Sequence, residues 1–145
     1  MTLLKLIIFA FISSMGFAIL FSIPKNSILK SGFIGSMGWM VYYIMSDILN
    51  DSIISTFFGA ITVGALGELF ARYFKKPATI FIIPGIIPLV PGAGMYYTML
   101  ALIEKDFSMA ANKGTETFFI AAAISIGLIV STSLSRSIKR VKDKG

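Results

Sequence analysis

The chain has no cysteine and no histidine. Without cysteine, disulfides, thiol catalysis and thiolate metal sites are excluded. Without histidine, the commonest general base and the commonest metal ligand are gone as well. Charge is also scarce: only 14% of the 145 residues are Asp, Glu, Lys or Arg, against 56% apolar. An ordinary soluble domain is about one quarter charged. A chain of this size lacks the polar surface to cover a water-soluble core. The composition therefore defines an all-α integral membrane protein, with residues 1–145 forming a single transmembrane domain.

Five long apolar stretches are present, at Leu3–Ile23, Gly32–Leu49, Ser52–Phe74, Ala78–Leu102 and Thr117–Ser137. A helix needs about 20 residues to cross the hydrocarbon core, so each stretch reads as a span. Pro24–Ser31, Asn50–Asp51, Lys75–Pro77 and Ile103–Glu116 connect them, the last as the only substantial loop. The first stretch is longer than a signal-peptide core and no A-x-A site follows it, so it reads as a helix that stays.

Thirteen Lys+Arg face seven Asp+Glu, a net charge of +6. In a soluble chain this would suggest nucleic acid; here it is orientation charge, and no nucleic-acid partner is expected. With five spans, Lys25, Lys30, Arg72, Lys75, Lys76, Arg136, Lys139, Arg140, Lys142 and Lys144 share one side. Only Lys5, Lys105 and Lys113 lie opposite, with Asp47, Asp51, Glu104, Asp106 and Glu116. The positive-inside rule makes the chain N-out and C-in. An odd span number suits one half of an inverted-repeat transporter, the other half being a second polypeptide or a second copy.

The fourth stretch carries the most unusual segment, Pro84-Gly85-Ile86-Ile87-Pro88-Leu89-Val90-Pro91-Gly92-Ala93-Gly94. Each proline removes a backbone donor and clashes with the preceding turn. Lipid cannot satisfy the freed carbonyls, so broken backbone at this depth is buried in protein or lines a wet cavity. The expectation is a half-helix to about Ile83, an extended hinge, and a second half-helix from about Pro91–Gly94. Candidate substrate-binding or hinge residues are Pro84, Gly85, Pro88, Pro91, Gly92 and Gly94. Tyr96, Tyr97 and Thr98 add hydroxyls in the first turns beyond the break.

In the third stretch, Glu68 and Arg72 stand at i and i+4, share a face and can pair. They end a stripe with Thr56, Ala60 and Gly64, whose small residues admit a neighbouring helix. Burial favours the protonated form of a carboxyl and a nearby cation the charged form. A carboxyl held between the two suits proton coupling; the alternative is a salt bridge that fixes packing. Ala123, Gly127, Ser131 and Ser135 form another small-residue ladder, and Gly32, Gly35, Ser36 and Gly38 crowd the second stretch. Both read as packing faces. Asp47 and Asp51 read as interfacial caps, with an outer vestibule as the alternative for Asp47. Trp39, Tyr42 and Tyr43 belong to a helix face. The basic tail reads as an inner anchor and an anionic-lipid site.

Enzyme readings fail on residue types. A serine–histidine pair cannot form, Glu68 is the only deep acid, and Gly92-Ala93-Gly94 lacks the strand and phosphate context of a nucleotide loop. No metal-ligand cluster exists, and no cofactor is expected. The residues leave open a transporter subunit, a non-transporting membrane scaffold for a partner and, more weakly, a channel.

The run from Pro84 to Tyr97, with Gly67-Glu68 before a basic turn, resembles the signature of the threonine/serine exporter family. The chain is most similar to the small, membrane-only subunit type of its split members. That resemblance implies export of threonine or serine, or of dicarboxylates such as succinate, driven by the proton motive force. It implies a larger partner with five further spans, or a homo-oligomer, in a bacterial-type cell (inner or plasma) membrane.

Overall fold

A computed structural model describes the backbone of residues 2–143 and the side chains of residues 2–138. Every element among the described residues is helical: α1 (Leu3–Leu20), α2 (Lys25–Leu49), α3 (Ser52–Phe74), α4 (Thr79–Ile86), a 3-10 turn (Ile87–Leu89), α5 (Gly92–Ile103) and α6 (Phe107–Asp143). Of these, α1, α3 and α6 are long and apolar enough to cross a membrane. The bent pair Thr79–Leu89 and Gly92–Ile103, taken as one span, makes a fourth.

Two boundaries differ from those read off the sequence, for one reason: apolarity marks lipid contact, not helicity. Residues 25–31, expected in a connection, form the first turns of α2, entered through Pro24 at the N-cap. Residues 107–116, expected in a loop, are the start of α6. Asp106 caps that helix by accepting from the Met109 amide at 2.9 Å. The real turns are short. Asp51 caps α3 by accepting from the Ile54 amide at 2.8 Å. Ser22, Lys75 and Lys105 take left-handed backbone conformations that close α1, α3 and α5.

The core forms where α2 meets α3 and α4, around Ile34, Val63, Phe81 and Leu89. A serine- and glycine-rich face lets α2 sit between α1, α3 and α4. At Gly38 and Gly59 the α2 and α3 backbones come so close that a Cβ on Gly59 would stand 3.0 Å from the Gly38 carbonyl oxygen. The ladder on α6, expected as a packing face, packs on the α3 stripe: a Cβ on Gly127 would stand 2.8 Å from the Phe57 carbonyl, and one on Gly64 would collide with Ser131. This is the close approach that small residues permit between helices lacking a hydrophobic driving force.

The expected hinge is narrower than read from the sequence: the second half-helix begins at Gly92, within the expected Pro91–Gly94, but the first does not end at Ile83. Pro84 sits inside α4, and the helix continues past Ile83 to Ile86. The carbonyl that Pro84 orphans is that of Ile80. The hydroxyl of Ser31 on α2 reaches it at 3.2 Å, with the Ser27 carbonyl as its other acceptor at 3.0 Å. A neighbouring helix thus repairs the first proline. Pro88 tightens the chain into the 3-10 turn, and the true break is Val90–Pro91. Val90 is extended (φ −63°, ψ 130°), as the residue before a proline prefers. Pro91 (φ −78°, ψ 57°) forms an inverse γ-turn closed by the Gly92 amide on the Val90 carbonyl at 2.8 Å. The axis turns by 53° there.

Candidate functional site

The two-residue break opens a cavity of about 410 Å³ between α2, α3, α5 and α6. Its floor is Pro88, Leu89 and the chain from Val90 to Gly94. Trp39 and Tyr42 come from α2, and Ser52 and Thr56 from the first turns of α3. Tyr97 lies on α5, while Lys113, Glu116, Thr117 and Ile120 lie on α6. Lys113 and Glu116 form an ion pair at 3.3 Å with both side chains about half exposed, so charge of both signs stands at the cavity edge. The wall thus offers an ammonium, a carboxylate, five hydroxyls and an indole N–H around a proline-glycine floor. Such a volume with convergent polar groups suits a small metabolite.

α5 owes its place to α6, its packing partner in the bundle. A Cβ on Gly94 would run into the Thr117 hydroxyl, and Gly114 admits Thr98 on the same seam. Thr98 turns inward to donate to the Gly94 carbonyl at 2.7 Å, and Thr117 donates to that of Lys113 at 2.7 Å.

The candidates from the sequence divide. Pro88, Pro91, Gly92, Gly94 and Tyr97 line the cavity. Pro84 and Gly85 are buried below it, where Gly85 meets Ile34 and Val63. Tyr96 is exposed beside Tyr97, away from the cavity lining, and the hydroxyl of Thr98 is engaged by its own helix. Glu68 lies three turns beyond Thr56 on α3, about 18 Å at 1.5 Å per residue, outside the cavity. It is half-buried, and no ion pair joins it to Arg72 among the described residues. Arg72 reaches across to α6 instead, where its Nη2 donates to the hydroxyl of Ser135 at 2.6 Å and to the carbonyl of the same residue.

Sequence reasoning missed Ser52, Thr56, Lys113, Glu116, Thr117 and Ile120, which are distant in sequence from the motif. The placement of Glu116 and Thr117 on opposite sides of an apolar boundary concealed that one helix carries both. Asp47 joins Tyr42, Tyr43, Ser46 and Asn50 around another hollow, of about 360 Å³.

At the other end of the bundle the basic residues gather. Lys76 donates to the hydroxyl of Ser27 at 2.9 Å and to the side chain of Asn26. Lys30 covers the ring of Phe74 at 4.0 Å, a cation–π contact. The side chains of Lys139, Arg140, Lys142 and Lys144 lie outside the described residues.

Long apolar helices around a proline-broken pair and a polar cavity define a multi-pass membrane protein of the transporter class. Residues 6–134 match the family described as threonine/serine exporter, ThrE, and the chain belongs to that family. It is 28% identical over 130 residues to an uncharacterized protein of Haemophilus influenzae, covering 83% of this chain and 43% of that one. It is 27% identical over 115 residues to a threonine/serine exporter of Corynebacterium glutamicum, covering 79% of this chain and 23% of that one. The chain thus spans less than half the length of these curated relatives. No solved structure matches it. Membership places the protein in the cell membrane.

Proposed function

We propose that this chain is the membrane subunit of a secondary exporter of small metabolites, threonine and serine or dicarboxylates such as succinate. The observation that carries the reading is the polar cavity at the Val90–Pro91 break, inside a chain of the threonine/serine exporter family. The substrate occupies that cavity, and the break is the pivot about which the α5–α6 hairpin opens and closes it.

All five apolar segments span in this proposal, N-out and C-in. α2 is the least apolar of them, and its enclosure by α1, α3 and α4 supports a span that needs little hydropathy because it faces protein. The gathering of Lys25, Lys30, Arg72, Lys75, Lys76 and Arg136 toward one end is the side that stays in the cytoplasm. The coverage of the relatives supports a larger membrane partner that supplies the rest of the transport unit. Glu68 carries the coupled proton: it is half-buried, and Arg72 is engaged elsewhere. The proton motive force drives the cycle.

Deleting the gene and loading cells with a threonine- or serine-containing dipeptide tests this, alongside measurement of succinate secretion. Efflux of at least one of the three falls in the deletion strain and returns with the intact gene. Unchanged efflux of all three overturns the reading.

A further inference from the structure

The indole Nε1 of Trp39 is buried and has no hydrogen-bond partner among the described residues. This is unusual for a tryptophan held only for packing, because a buried indole N–H ordinarily finds an acceptor. Its surroundings are equally unusual. Trp39 borders the hinge cavity with Tyr42 and Pro88. It also borders a hollow of about 200 Å³ against Leu6, Phe9, Ala10 and Ser13 of α1. A third hollow, of about 360 Å³, leads toward Asp47. Side chains in a packed interior are fixed by their neighbours. A ring bordered by open volume on three sides has room to turn.

We infer that Trp39 is a ligand-binding residue of the hinge cavity. A small polar metabolite presents a carboxylate or hydroxyl oxygen there, and the indole turns to donate its N–H to it. This deepens the exporter reading and rests on it. Three features converge. The donor lacks a partner among the described residues, the ring is in the cavity wall, and the residues beside it are polar or aromatic. Tyr42 stands against the ring with centroids 5.0 Å apart and planes at 40°, and supports it from the α2 side. Leaving such a donor unpaired disfavours the resting arrangement. An acceptor oxygen from a ligand removes that penalty, so ligand and ring position are linked.

The experiment uses the full chain in its own cell, with whichever of threonine, serine or succinate the wild-type cell exports. Trp39→Phe keeps an aromatic ring and removes the donor. Replacing Trp39 by 3-benzothienylalanine keeps the shape of the indole and removes only the N–H. Both are expected to raise the apparent KM for export about tenfold, the size of one lost hydrogen bond, at wild-type abundance in the membrane. A structural role would leave the benzothienyl variant at the wild-type KM. A KM within twofold of wild type for that variant, in cells where gene deletion abolishes efflux, overturns the role of Trp39 and leaves the exporter reading standing. Efflux that survives deletion overturns the exporter reading itself. Should Trp39→Phe fail to accumulate, the isosteric replacement alone decides.

Discussion

Arg72 on α3 donates to Ser135 on α6 at 2.6 Å, and leaves Glu68, one turn earlier on its own helix, outside any ion pair among the described residues. The guanidinium therefore ties two helices together at the basic end of the bundle. Glu68→Gln is expected to reach the membrane at normal level but to export at a rate that no longer rises when the external medium is acidified. Arg72→Ala removes an exposed tie and should cost about 1 kcal/mol of thermal stability in detergent. An Arg72→Ala loss of proton dependence as complete as that of Glu68→Gln would show that the two residues act as one unit.

The glycines of the motif are not equivalent. A Cβ at Gly92 would meet nothing within 4 Å, whereas one at Gly94 would collide with the Thr117 hydroxyl. Gly92→Ala should therefore fold and reach the membrane at the normal level. Gly94→Ala should push α5 off α6 and lower export severalfold, and Thr117→Ala should restore it. Efflux measured on the two single variants and the double variant checks this as a double-mutant cycle. A Gly94→Ala protein with full activity would mean that the α5–α6 seam does not set the cavity.

Two buried serines should respond in opposite directions. Ser31 supplies a hydroxyl to the Ile80 carbonyl that Pro84 orphans, so Ser31→Ala should destabilise by about 1–3 kcal/mol. Ser14 is fully buried and its hydroxyl has no partner among the described residues. Ser14→Ala should be neutral or stabilising, since it removes an unsatisfied polar group. Thermal unfolding of the two variants in one detergent gives the comparison.

The seam between α3 and α6 tolerates no added atoms. A Cβ at Gly127 would stand 2.8 Å from the Phe57 carbonyl and 2.9 Å from the Ala60 methyl. Backbone cannot move aside as a side chain can, so Gly127→Ala should cost about 1–3 kcal/mol. Gly16, exposed on α1 with nothing near its Cβ position, is the control: Gly16→Ala should be neutral or slightly stabilising.

Helicity, the apolar segments and the small-residue seams were legible because each is a local consequence of composition or of a four-residue repeat. Gly127 and Ser131 pack on the α3 stripe; their spacing implied a packing face but not its partner. Only one edge of the break was legible: α5 begins at Gly92, within the expected Pro91–Gly94, whereas the first piece runs past Ile83 to Ile86. The Ile80 carbonyl is served by Ser31, 49 residues before it, and no reading along the fourth segment can register a donor on another helix. The polar starts of α2 and α6 escaped for a different reason: hydropathy separates lipid from water, and a helix can cross that boundary without changing its backbone. Ser52 and Thr56 on α3 and Lys113 and Glu116 on the overlooked start of α6 belong to the cavity wall, so the motif revealed the floor of the site and little of its sides.

The 53° bend also makes the reach of this segment variable. Eleven residues before the break and twelve after it measure about 16 Å and about 18 Å. With the first piece upright, the bent segment extends about 27 Å along the membrane normal, and straightening it would add about 7 Å. That gain is a sizeable fraction of a hydrocarbon layer of about 30 Å. Bilayer thickness is thus a mechanical variable acting on the hinge: long-chain lipids pull it straight and short-chain lipids let it fold. Transport in vesicles of graded acyl length should pass through an optimum set by the angle at Pro91.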